Sequence, residues 1–191
     1  LMLTSPSAMS SASLNLVKAK KPSQIYIIGG TGAVSDAVVS QLKAAAPGVG
    51  VTRVSGSDRY GTSTAILDQF FKSRSVSTVL IATGRDHPDA LTAAAAGGAL
   101  KAPVLLVDGA KDQSVTGAAA TFLSSKKPAK VVLVGGDGVI SSTLEASLRK
   151  SYSGTTRVSG VDRYKTNIAV NDYVSKNGGA APTGLWVATG R

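Results

Sequence analysis

"KKPAKVVLVGGDGVIS", residues 126–141, holds the pattern from which the rest of the chain can be read. Its run "VVLV" (131–134) has no polar alternation, as expected of a strand buried on both faces. A glycine pair then turns the chain into a helical stretch, "TLEASLRK" (143–150), opened by Ser142 and Glu145 in an S-x-x-E capping box. The runs "IYII" (25–28), "TVLIA" (78–82) and "VLLV" (104–107) follow the same grammar. Pro88 suits the first position of a helix over "PDALTAAAAGGALKA" (88–102), with Asp86 as its N-cap. Ala90, Ala93, Ala94 and Gly97 share one face of that helix, which allows close backbone approach. Strands alternating with helices predict an α/β fold of tandem Rossmann-like or Toprim-like βαβ units with mostly parallel sheets.

The same stretch occurs twice. "KKPSQIYIIGG" begins at Lys20 and "KKPAKVVLVGG" at Lys126, an offset of 106. "RVSGSDRYGTSTAI" from Arg53 returns as "RVSGVDRYKTNIAV" from Arg157, with seven of the first eight letters unchanged. "LIATGR" (80–85) returns as "WVATGR" (186–191), and the opening "LMLT" reads as a strand. The repeat divides the chain into the second half of one unit (1–52), a complete unit (53–156) and the first part of a third (157–191).

Cores tolerate apolar exchanges, so near-identity in a polar loop means either a ligand site or a turn that every copy needs. Open parallel sheets bind ligands where strands end and helices begin, and the polar loops fall at that edge. Glycine-rich turns expose backbone N–H groups to an anion. They nominate Gly29, Gly30 and Thr31, with Gly135 and Gly136 in the second copy. The repeated motif adds Arg53, Ser55, Asp58, Arg59, Tyr60 and Thr62, and again Arg157, Asp162, Arg163, Tyr164 and Thr166. The "ATGRD" loop adds Arg85, Asp86 and Asp89, and its second copy ends in Arg191. Arginine supplies forked donors suited to phosphate or carboxylate. Asp58 and Asp162 read equally as helix caps bracing the loop or as ligand contacts.

Other chemistries find little support. "GTGAVS" has Ser35 in place of the third glycine of a dinucleotide fingerprint, and no acid follows for a ribose. No cofactor, metal cluster or catalytic residue is called for, and the lone His87 reads as a loop surface residue. There is no cysteine, which suits export without identifying a compartment. No apolar run is long enough to span a membrane. The formal charge of +10 points to an anionic partner. The densest basic patches, "KAKK" (18–21) and "SSKKP" (124–128), sit where helices should end, so dipole complementation explains them first.

"RVSGSDRYGTSTAI", "VLIATGRDHPDALTAAAAGGALKAPVLLV" and "VVLVGGDGVISSTL", in this order and twice over, resemble the type 2 cell-wall-binding repeat. The resemblance covers nearly all of the chain, and its alanine-rich segment is more like actinobacterial members. It implies a secreted protein at the cell wall of a Gram-positive bacterium. There the repeats pack with neighbouring repeats and anchor noncovalently to an anionic glycan or secondary wall polymer through basic, Gly-rich loops. The resemblance implies no enzyme activity in this part and no specific nucleic acid partner. The competing readings are a wall-acting hydrolase domain and an adhesive or structural repeat without polymer specificity.

Overall fold

A computed structural model describes residues 1–178. The chain forms two compact units, Leu1–Ile66 and Leu67 onward. The first carries helix α1 (Ser11–Lys20), strand β1 (Gln24–Ile28), helix α2 (Asp36–Ala45) and strand β2 (Gly50–Val54). β1 and β2 pair in parallel, Ile25 opposite Val51 and Ile27 opposite Arg53. Val17, Ile27, Val38 and Leu42 close the core of this unit. The boundary between units falls within helix α3 (Arg59–Phe71).

The second unit begins with the end of α3. It continues with β3 (Thr78–Thr83), α4 (Pro88–Leu100), β4 (Val104–Val107) and α5 (Gly117–Lys126). It then adds β5 (Lys130–Val134), α6 (Ser142–Ser151), β6 (Thr155–Val158) and α7 (Arg163–Lys176). The sheet order is β4-β3-β5-β6, all parallel. Along β3, Val79 and Ile81 face one core with Leu123, Leu133 and Leu144. Leu80 and Ala82 face the other core with Ala93, Ala96 and Val170 of α4 and α7. Both faces are therefore dry, which is why these strands read as unbroken apolar runs; each large apolar side chain contributes about 1.5–3 kcal/mol by its burial. Gly97 is needed for this fit, because a Cβ there would lie 2.7 Å from the Ala102 carbonyl, whereas Gly98 faces open space.

Four local expectations are corrected. The run "IYII" is not buried on both faces, since Tyr26 and Ile28 of β1 are 42% and 41% exposed. The cap of α6 is Ser141, whose Oγ accepts from Leu144 N at 3.1 Å, and Glu145 turns to two arginines instead of closing a capping box. The N-cap of α4 is His87 rather than Asp86, whose carboxylate accepts from His87 N at 2.8 Å. Leu1–Thr4 is irregular backbone with Leu1 and Leu3 exposed. There Thr4 and Ser5 donate their hydroxyls to the Ala8 carbonyl at 3.1 and 2.7 Å, local bonds that compete with a strand ladder. The sequence from Gly179 on, including "WVATGR", lies outside the described residues.

Candidate functional site

In the second unit the chain leaves β3 for β4 on one side and returns to β5 on the other. A crevice is expected at the carboxyl ends of strands around such a switch of direction. A cleft of about 400 Å³ lies there. Its walls are Thr83 at the end of β3 with Asp86 and Asp89 after it, Asp137 and Val139 after β5, and Asp162, Arg163 and Thr166 after β6.

The repeated motif shows what its letters do. Arg157 donates to the Gly135 carbonyl at 2.7 Å, to the Ile140 carbonyl at 2.8 Å and to Glu145 at 2.8 Å. Arg53 does the same in the first unit, donating to Gly29 and Val34 carbonyls and to Asp36, at 2.8, 2.8 and 2.9 Å. Each guanidinium thus staples the glycine loop of the preceding strand. The aspartates cap helices: Asp162 accepts from Lys165 N, and Asp58 from Gly61 N, both at 2.7 Å. Thr166 and Thr62 hydroxyls accept from Gly160 N and Gly56 N at 3.0 and 3.1 Å. A Cβ on Gly160 or Gly56 would lie 2.3 Å from the following helix turn. The first Arg, the Gly, the Asp and the Thr of the motif are each accounted for by the turn itself.

Electrostatics in the cleft follow. With Arg157 turned inward and Arg85 paired with Asp108 beyond β4, Arg163 is the guanidinium that lines the cleft, 3.8 Å from Asp86. Four carboxylates line it with Arg163: Asp86, Asp89, Asp137 and Asp162. Burial, with repulsion from Asp86, pushes the Asp89 carboxyl up, and Arg163 only partly counters this. Asp108 is held down by its hydrogen bond from Arg85. Among the described residues no group of His, Cys, Asp or Glu is arranged to hold a metal.

The residues nominated from sequence thus divide between the units. Asp86, Asp89, Gly136, Asp162, Arg163 and Thr166 meet in one cleft, and Gly135 lies against it, where a Cβ would sit 2.6 Å from Asp89. Arg85 is directed toward β4, Arg157 lies beneath the loop, and Tyr164 is exposed. Gly29, Gly30, Thr31, Arg53, Ser55, Asp58, Arg59, Tyr60 and Thr62 belong to the first unit. Arg191 lies outside the described residues. Sequence reasoning missed Asp137, although the 106-residue offset that pairs it with Thr31 marks its loop. It also missed Asp108 and gave Glu145 a capping role, because both residues depend on tertiary pairing.

Known proteins share this fold. Residues 53–145 match the profile of the family described as "Cell wall binding domain 2 (CWB2)". That stretch belongs to the family. The fold matches that of Cwp6 from Clostridium difficile with a TM-score of 0.83 and 31% identity, over 92% of this chain and 27% of that one. Cwp8 from Clostridium difficile gives 0.74 and 25%, over 88% and 28% of the two chains. The N-acetylmuramoyl-L-alanine amidase LytC of Bacillus subtilis is 26% identical over 82% of this chain and 29% of its own length. The chain therefore spans less than a third of each of these proteins. A CWB2 domain is a binding module of secreted, wall-associated proteins of Gram-positive bacteria. Among the described residues no helix is long and apolar enough to cross a membrane.

Proposed function

We propose that this chain is a noncovalent anchoring module that holds its parent protein to an anionic secondary polymer of the cell wall. The match of residues 53–145 to the wall-binding family carries the reading, and the charge of +10 supplies the long-range attraction. The cleft at the carboxyl edge then serves the neutral part of such a polymer. Its carboxylates accept hydrogen bonds from sugar hydroxyls, and Arg163 with the exposed Tyr164 offers a donor and a ring face. Neighbouring repeats add further weak contacts, so that avidity builds from modest single sites.

Co-sedimentation with Gram-positive wall sacculi, before and after acid extraction of the anionic polymer, tests this. Binding is expected to vanish with the polymer. Equal binding to both preparations would transfer the role to peptidoglycan and sink the proposal.

A further inference from the structure

Charge in the second unit is uneven between the two ends of its strands, although Arg85, Lys111, Arg163 and Lys165 lie with the acids at the loop edge. Its carboxylates gather at the loop edge, where Asp86, Asp108, Asp137, Glu145 and Asp162 follow strand ends or open helices. The opposite edge is basic. Lys72 and Arg74 follow α3, Lys101 follows α4, and Lys126 with Lys127 ends α5. Lys150 and Lys176 close α6 and α7, and Lys130 opens β5. The nearest carboxylates on that side are Asp68 and Asp172, in the second halves of α3 and α7.

Helix dipoles attract cations to these ends, but two observations go further. Lys101 and Lys127 occupy left-handed backbone, with φ of 53° and 46°, as does Lys21 in the first unit at 43°. Glycine suits that conformation better. In α5 the dipole is already served by Lys126, whose ammonium also caps the Lys72 and Arg74 carbonyls. Separately, a recess of about 190 Å³ opens at this edge between the ends of α4 and α7. Ser77, Thr78 and Asn177 supply hydroxyl and amide groups, Leu100 and Tyr173 supply apolar wall, and Lys130 lies at its side. Lys130 donates to Asn177 at 2.8 Å. Lys101 and Lys176 adjoin the recess in the chain, next to Leu100 and Asn177.

We infer that this recess is a seat for one sugar of an anionic glycan, with the flanking phosphate or carboxylate held by Lys101, Lys130 and Lys176. It lies at the end of the sheet away from the loops. The inference rests on the anchoring reading above and locates its charged contact.

The test compares the whole chain with two variants of equal charge loss. The seat variant is Lys101→Gly, Lys130→Gln and Lys176→Gln; the control is Lys43→Gln, Lys111→Gln and Lys165→Gln. The seat variant should lose binding to polymer-bearing sacculi by about tenfold or more, while the control stays within about twofold of the native chain. Lys101→Gly alone should raise Tm by about 2–4 °C while weakening binding, an outcome that a purely structural lysine would not give. Equal losses in both triple variants would reduce the effect to net charge and overturn the seat. Native binding by the seat variant would also overturn it, leaving the loop edge as the anchor. If the native chain bound extracted sacculi equally, the anchoring reading itself would fall. Seat-dependent binding of double-stranded DNA as tight as that of the polymer would make this a general polyanion surface and refute the glycan assignment.

Discussion

Arg157 and Arg149 approach the same carboxylate, yet they should differ widely in worth. Arg157 is 15% exposed and Glu145 17%, and the guanidinium also satisfies two loop carbonyls. Arg149 is 55% exposed, one turn along the helix from Glu145. Replacing Arg157 with Met takes the donor from the Gly135 and Ile140 carbonyls and leaves Glu145 to the exposed Arg149 alone, at a cost of about 1–3 kcal/mol. Replacing Arg149 with Ala should cost less than about 1 kcal/mol. Urea unfolding at neutral pH measures both, and equal costs would contradict the stapling role. Burial raises Glu145, but its bonds from Arg149 and Arg157 outweigh this and leave it below its ordinary value of 4.5. A depressed carboxylate stabilises above the unfolded pKa and loses that contribution as pH falls through the folded one. The penalty of Arg157→Met should therefore shrink in acid. The two copies also differ instructively: Arg53 pairs with Asp36 in the first turn of its helix, while Arg157 reaches Glu145, three positions beyond the matching residue. The arginine is legible in the repeated sequence; its acid partner is not, because it sits at a different position in each copy.

Among the elements, the strand–loop–helix turn is what the repeat preserves. Gly160 has no room for a Cβ, whose nearest neighbours would include the Lys165 backbone at 2.4 Å, so Gly160→Ala must push α7 from the strand end. We expect about 1–3 kcal/mol of destabilisation. Gly136, in the same cleft, has nothing within 4 Å of the place a methyl group would take, and its alanine variant should unfold nearly like the native chain. Thermal unfolding of the two variants decides whether the motif glycine is a packing requirement; a tolerated Gly160→Ala would say that it is not. The strands of the second unit were readable because buried parallel strands leave unbroken apolar runs, and α4 and α6 because proline and serine mark their starts. The caps were misplaced by one residue at α4 and α6, since neighbouring Asp, Ser and His residues compete for one position and backbone geometry chooses among them.

For the molecule as a whole, the proposed attachment through an excess of cations predicts a screened interaction with the wall. Raising salt from about 0.1 M to 1 M shortens the Debye length from about 10 Å to 3 Å, so retention on sacculi should fall steeply over that range; retention unchanged in molar salt would exclude electrostatic attachment. The α/β class, the repeat and its offset, the edge where polar loops gather, the resemblance to wall-binding repeats and the net charge were all legible in the letters. These follow from local patterning and composition, which need no knowledge of what lies across the sheet. Where the charges lie was decided only by packing. Arg157 and Arg85 are drawn to partners distant in sequence, so loops that read as basic line a cleft with four carboxylates. Lys72, Lys101, Lys126, Lys130, Lys150 and Lys176 collect at one edge because parallel strands joined by helices bring the helix C-termini to the same end of the sheet.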